Sequence, residues 1–341
     1  KFSPPDGFQP LNAANTRPET VIARPDQFVG VVTYTGNSGT QSITGYNFSP
    51  DLVFTKQRTN TGFPAWFDVL RGPTNALRSH STGGTYTDSD LLTSFNSNGF
   101  SVGSAGDINS NNDYVGWAWR AGGNAGTFNK DGVAYASAAA AGLTGGALTV
   151  SGCSIGTKQG FSIIKYNSGS TGTNNTLVSH GLGQTPRFII HKTLSTGDWY
   201  VYHADVITDL SYYLRLNSGD ERKTAGSNIW GSTAPNNNTF GVRVGNADAD
   251  PKEGIIKTNE DAIAYLWCDI PGLQKFGSYT GKSALNFVEL GFRPALIMLK
   301  NSSNSSYTSY TYFAIFDSTR DTHNTMQNVI FAGKSQAENL R

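Results

Sequence analysis

The residues in this chain best placed to do chemistry recur at fixed spacing. Lys56, Lys192 and Lys300 each stand six residues after a proline, at Pro50, Pro186 and Pro294. Beyond the first and third lies Phe-Asp-x-x-Arg, as Phe67-Asp68 with Arg71 and as Phe316-Asp317 with Arg320. A lysine facing a carboxylate can work as an acid–base pair, and a lysine beside Asp or Asn can form an isopeptide crosslink. The middle copy reads Trp199-Tyr200-Val201-Tyr202-His203-Ala204 there and has lost both the acid and the arginine. A pair repeated in tandem and dropped from one copy is expected to serve the fold. Lys56 with Asp68 and Lys300 with Asp317 are therefore read as partly buried ion pairs, and no residue is assigned a catalytic role.

Alternating oxygen ligands supply the metal candidates. Asp107, Asn109, Asn111 and Asp113 follow the opening of a calcium loop. Position six of that loop is Asn112 where the turn needs glycine, however, and position twelve is Ala118 where the cation needs a bidentate glutamate. A polar turn is the stronger expectation. Asn246 to Pro251 with Glu253 forms a second acidic loop of the same kind. His80, His180, His191, His203 and His323 make no metal-binding spacing, and no G-x-S-x-G elbow or phosphate-binding loop occurs. No cofactor is implied. Trp230, in the loop Ser227 to Ser232, has no counterpart in the first copy and is the ligand candidate, since an unpaired loop tryptophan can stack on a sugar ring. The competing reading is a satellite packing residue. Trp66, Trp117, Trp119, Trp199 and Trp267 recur at matching places and are read as core.

The elements that position these residues are themselves repeated. Tyr34-Thr35-Gly36 leads to Pro50 and Leu52-Val53-Phe54, and Tyr279-Thr280-Gly281 leads to Pro294 and Leu296 to Leu299. In the middle copy Tyr166 leads to Pro186 and Phe188-Ile189-Ile190. Downstream, Gly99 to Gly103 and Tyr114 to Trp119 correspond to Thr239 to Gly245 and Ala262 to Trp267. The third copy stops before this second half. The organisation expected is an N-terminal extension or the end of an upstream domain at 1–27, module 1 at 28–121 and module 2 at 160–271. A partial module 3 follows at 276–341. The Gly/Ala/Ser-rich stretch 122–159 is read as a flexible or surface-laid insert, and the short junction between modules 2 and 3 as stiff.

Composition agrees with such an architecture. Charged residues are 15% of the chain, and 39 glycines together with many Asn, Ser and Thr take up the difference, favouring turns and strands. An aromatic content of 12% supplies enough buried area for a folded chain. Short apolar or alternating runs bounded by Gly, Asn, Ser or Pro read as strands, and helical periodicity is scarce. The fold class expected is all-β, with tandem β-sandwich modules of jelly-roll type. The strand behind each repeated proline, apolar at successive positions, suits burial on both faces. Lys plus Arg (26) nearly cancels Asp plus Glu (25) with no basic cluster, so nucleic acid is not an expected partner. No apolar run reaches the length of a membrane span. Cys153 and Cys268 fall in different segments and offer neither a disulfide framework nor a metal site. Both chain ends read as cuts from something longer. A polysaccharide depolymerase or glycoside hydrolase needs two carboxylates facing across a cleft, which so few acids make a poor fit.

The blocks Tyr-Thr-Gly, Gly291-Phe292-Arg293-Pro294-Ala295-Leu296-Ile297-Met298-Leu299-Lys300, Phe-Asp-x-x-Arg, Thr93 to Ser101 and Tyr114 to Gly123 resemble a β-rich domain repeated in virion proteins of marine phages. Phe2 to Asn12 looks like the exit of the concanavalin-like domain that often precedes such repeats. The resemblance implies a virion protein on the particle surface, in a tail fibre, appendage or capsid decoration, that takes part in host attachment. Its implied partners are other virion proteins, further copies of itself and a host surface glycan. The family has no established catalytic residues to carry over. A lectin-like adhesin is the alternative that the polar loops keep open.

Overall fold

The structure is a computed structural model, and it describes residues 21–123, 126–170, 176–245, 254–303 and 311–340. Module 1 contains β1 (Val29–Thr35), β2 (Gln41–Thr44), β3 (Leu52–Gln57), β4 (Ala65–Asp68), β5 (Asn75–Arg78), β6 (Tyr86–Thr87), β7 (Leu92–Asn96), β8 (Gly99–Val102) and β9 (Asp113–Trp119). Its larger sheet runs β1-β9-β3-β4-β5-β6 and its smaller one β2-β8-β7. Between the two lies a core of Ile43, Tyr46, Val53, Phe67, Phe100 and Ile108, among others.

The stretch 122–159 contains β10 (Phe128–Lys130), β11 (Val133–Tyr135) and β12 (Thr149–Gly156). Module 2 follows with β13 (Phe161–Asn167), β14 (Thr176–Ser179), β15 (Phe188–Thr193), β16 (Trp199–His203), β17 (Tyr212–Arg215), β18 (Lys223–Thr224), β19 (Thr239–Val242), β20 (Val244–Gly245), β21 (Ile256–Lys257) and β22 (Asp261–Trp267). Its larger sheet, β11-β10-β12-β13-β22-β15-β16-β17-β18, repeats the order of module 1 and adds three strands at one edge. Of the flexible or surface-laid insert expected here, 131–148 is largely exposed, whereas β10 and β12 are ordered in the sheet. β12 pairs with β13 along its length, and Cys153 and Ile155 face the module 2 core. Low complexity misled because Gly and Ser are also the residues of a strand that must lie close against its neighbours. Cys153 and Cys268 share that core, both free and buried.

Module 3 contains β23 (Leu296–Leu299), β24 (Ala314–Asp317), β25 (Asn328–Phe331) and β26 (Asn339–Leu340), paired in that order. They match β3 to β6 and β15 to β18 one for one. The all-β sandwich expectation holds for modules 1 and 2, and module 3 supplies one four-stranded sheet.

The modules are not separate beads. Side chains along a strand alternate between two faces. In β3, Val53 enters the sandwich of module 1, while Leu52 and Phe54 enter a second core on the opposite face. In β15, Ile189 faces inward and Phe188 and Ile190 face that same second core. Ile315 of β24 and Ile330 of β25 join it from module 3. The three large sheets therefore back onto one common core, which is why the strand behind each repeated proline lacks a polar alternation. Trp66, Trp117 and Trp199 are buried at its centre, and Phe54 stacks on both Trp66 and Trp117. Trp66 and Trp199 do not occupy matching positions: Trp66 stands opposite Phe54, whereas Trp199 stands opposite Lys192. They lie two positions apart on the same strand face and meet across the joint at 5.7 Å. Backbones also touch there. A Cβ on Gly333 of module 3 would sit 2.0 Å from the carbonyl oxygen of Leu216 in module 2, so only glycine fits.

Candidate functional site: the joints between modules

One backbone hydrogen bond recurs at all three joints. Thr85 N–H donates to the Leu194 carbonyl at 2.8 Å, Arg222 to Ser302 at 2.9 Å and Glu338 to Arg58 at 2.8 Å. Each acceptor lies two residues after a repeated lysine, and each donor seven residues after the last residue of β5, β17 or β25. Module 1 thus bonds to module 2, module 2 to module 3 and module 3 back to module 1. The three sheets close a ring with pseudo-threefold character.

The repeated acid and arginine fasten this ring. Asp68 and Arg71 form an ion pair at 2.6 Å that is almost wholly buried. Oδ1 of Asp68 accepts the Leu70 and Arg71 N–H groups at 3.0 Å each, and Oδ2 accepts the Tyr265 hydroxyl of module 2 at 2.8 Å. Asp317 and Arg320 pair at 2.6 Å with no exposure, and Asp317 Oδ2 accepts Trp117 Nε1 of module 1 at 3.1 Å. The two outside donors are equivalent, since Trp117 stands opposite Phe54 in β3 and Tyr265 opposite Ile190 in β15. Each carboxylate has four donors in place, which leaves little acceptor capacity for any further partner.

The expected Lys–Asp ion pairs are not what forms. Lys56 Nζ donates to the carbonyls of Gln57 at 3.1 Å and of Ser335 in module 3 at 3.0 Å. Lys192 Nζ donates to Thr193 and Ser195, both at 2.8 Å, and Lys300 Nζ to Ser218 of module 2 at 3.0 Å and to Thr311 at 2.5 Å. The acid finds an arginine three residues on instead, because its short side chain turns back on its own loop while the long lysine reaches the joint's loop carbonyls. Burial pulls Lys56 and Lys300 down to about 8 and Lys192 to about 7. None of these nitrogens donates to an Asp or Asn side chain, so the arrangement is not that of an isopeptide precursor.

At the third joint the acid's position is taken by His203, opposite Phe188 as Asp68 is opposite Leu52. The donors to Asp68 and Asp317 come from β22 and β9, and among the described residues of module 3 no strand pairs with β23 besides β24. Among the described residues, the histidine of copy two thus stands at the joint where no such donor is in place.

The calcium-loop residues serve local structure. Asp107 pairs with Arg78, Asn109 donates to the Gly103 carbonyl at 2.7 Å, and Asp113 accepts from Thr35 at 2.8 Å. Asn111 is exposed on the turn after the helical turn Gly106–Asn109. Asn246 to Glu253 lie outside the described residues. Among the described residues no cluster of three or more His, Cys, Asp or Glu is arranged to hold a metal ion. Trp230 is corrected as a ligand candidate. Its side chain is fully buried in the module 2 core, its Nε1 donates to the Tyr212 carbonyl at 3.0 Å, and Tyr202 meets it edge-on, so neither ring face is open to a sugar. An unmatched tryptophan in a polar loop carries no sequence sign of which way it turns. The backbone ring and the Arg58–Glu338 ion pair at 2.8 Å between modules 1 and 3 were likewise invisible in the sequence. Backbone donors have no residue signature, and a pair 280 residues apart has no spacing to read.

Two histidines of module 2 give the fold an acid limit. His180 and His191 are buried, and burial lowers them to about 4 and about 3. The unfolded chain then binds protons that the folded chain refuses, so stability is lost as pH falls below about 6.5. Asp51, which burial raises to about 6, acts in the opposite sense and offsets part of the loss between pH 6 and its ordinary value. Urea denaturation followed from pH 7 to 4.5 is expected to show a fall on the order of 2–3 kcal/mol per histidine. His191→Leu should remove about half of it, and an unchanged slope in that variant would contradict this assignment.

Fold and joints together define an all-β protein of tandem sandwich modules closed around a shared core. The chain belongs to the family described as a domain of unknown function, DUF7483, which matches residues 24–341 and so runs through all three modules. No curated protein and no solved structure matches it. Among the described residues no helix is long and apolar enough to cross a membrane.

Proposed function

We propose that this chain is an architectural component of a phage virion, exposed on the particle in a tail fibre, appendage or capsid decoration and taking part in host attachment. The observation that carries the reading is the use made of the repeated Asp, Arg and Lys. Lys56, Lys300, Asp68 and Asp317 each bond across a joint between modules, as suits a rigid spacer whose outward loops, rich in Asn, Ser, Thr and Gly, can contact a partner. The resemblance of the repeats to those of marine phage virion proteins supplies the setting. Other virion proteins, further copies of the chain and a host surface glycan are the partners proposed. The lectin-like alternative has lost Trp230, its one aromatic candidate.

A cryo-EM map of the particle or assembly that contains the chain tests this. Modules at a tail tip or on a capsid surface with their loops outward are expected. A chain found in no particle would overturn the reading.

A further inference from the structure

We infer that the cavity between the turn after β4 and the bulged strand β12 binds one carboxylate-bearing sugar unit, with Lys165 and Ser151 as the residues that select it. The inference deepens the proposed role in host attachment by giving the glycan a chemical class, and it rests on that reading for its setting.

The cavity has a volume of about 300 Å³, at the low end of the range for small-molecule sites. Val69 and Leu70 of module 1 form one wall, and Thr127, Ser151, Gly152 and Lys165 form the other. Hydrogen bonds hold both walls. Asp68 Oδ1 accepts the Leu70 N–H at 3.0 Å, and the Val69 N–H donates to the Asp51 carbonyl, also at 3.0 Å. Opposite them, the Cys153 N–H donates to the Thr127 carbonyl at 2.9 Å. Walls fixed before the ligand arrives reduce the ordering cost of binding. Gly152 keeps the gap between them open. A Cβ there would stand 3.4 Å from the Thr127 carbonyl oxygen and 3.6 Å from Leu70 Cδ2, so a longer side chain would fill the space.

Two polar groups of the cavity have no partner in the protein. β12 and β13 slip register between Val150 and Gly152, which leaves Ser151 as an extra residue. Bulges of this kind re-aim a side chain. The Ser151 hydroxyl is buried without a hydrogen bond, a state that costs free energy unless another group completes it. Lys165, half-buried opposite Gly152, makes no ion pair among the described residues, and its amine makes no hydrogen bond there. Neither residue belongs to the repeated set that closes the ring. Thr33 holds the place of Lys165 in module 1 and Ser278 holds it in module 3, and among the described residues no strand flanks β1 as β12 flanks β13.

The lining also names the ligand. One ammonium with no carboxylate beside it suits a single negative charge, and a carboxylate supplies that charge with a strong hydrogen-bond acceptor. A zwitterionic amino acid would find no acid for its ammonium group. A phosphate dianion is typically held by arginine forks or by rows of backbone N–H groups in a nest, and no arginine lines this cavity among the described residues. The hydroxyls of Ser151 and Thr127 match ring hydroxyls, and Val69 and Leu70 offer an apolar wall for the C–H face of a sugar.

Isothermal titration of the intact chain with D-glucuronate, D-glucose and inorganic phosphate tests this. Glucuronate is expected to bind at least about tenfold more tightly than glucose, the margin of one hydrogen bond to a charged group. Lys165→Met keeps the apolar stem and should bring glucuronate down to the level of glucose, with the urea denaturation midpoint unchanged. Gly152→Val should abolish the binding of both sugars. Absence of binding, equal binding of glucuronate and glucose, or glucuronate binding that survives Lys165→Met would overturn the inference. Phosphate bound as tightly as glucuronate, and lost with Lys165→Met, would mark a bare anion site and overturn the sugar assignment. The titration needs no particle, so its failure is distinct from that of the virion reading, which a chain found in no particle would overturn with glucuronate binding intact.

Discussion

Asp317→Ala is expected to destabilise the chain by about 3–5 kcal/mol, the cost of removing one partner of a buried ion pair and leaving Arg320 with Glu338 as its remaining carboxylate. The Arg320 side chain has no exposure and would keep the Ile315 carbonyl, Glu338 and the face of Trp117 as partners. Trp117 Nε1, which reaches across from module 1, would lose its acceptor as well. Asp68→Ala should cost a similar amount, since Arg71 and Tyr265 stand to it as Arg320 and Trp117 stand to Asp317. His203→Ala, at the equivalent position of module 2, is the control and should cost roughly 1 kcal/mol or less, in the range of an ordinary substitution. Urea denaturation of the three variants measures this. A cost for Asp317→Ala no larger than that of His203→Ala would mean that the acids do not fasten the ring.

Trp117→Ala should be as damaging, by about 3–5 kcal/mol, because truncating a fully buried tryptophan opens a cavity that the surrounding sheets cannot close. Trp117 stacks on Phe54 at 5.0 Å, lies under the Arg320 guanidinium at 5.4 Å and donates to Asp317. Its loss is therefore felt in modules 1 and 3 together. Because it shares this contact with Asp317, the double variant Trp117→Ala with Asp317→Ala should cost less than the sum of the singles. Additive costs would place the two residues in separate structures.

The repeat was legible because spacing survives in sequence. The six-residue interval from proline to lysine and the Phe-Asp-x-x-Arg block located β3, β4 and their counterparts, and runs such as Leu52-Val53-Phe54 announced strands buried on both faces. What buries the second face was not legible. Phe54, Ile190 and Ile315 carry no mark that they meet each other and not three separate partners. The acid and lysine were read as an ion pair, and the partner was misassigned. Lys56 stands opposite the acid's strand in the repeat, but Arg71 is only three residues from Asp68 and the tight turn after β4 folds it back onto the acid. Within Gly122 to Gln159 the pairing of β12 was missed because composition reports how freely a chain can move in isolation. It does not report whether a neighbouring edge such as β13 is waiting to order it.

The account rests on the three modules forming one body around the shared core, and differential scanning calorimetry tests that most directly. A single transition is predicted, with calorimetric and van't Hoff enthalpies equal, because no module can unfold without exposing the faces of the other two. Two or three resolved transitions, each with the enthalpy of one module, would contradict it and return the chain to beads on a string.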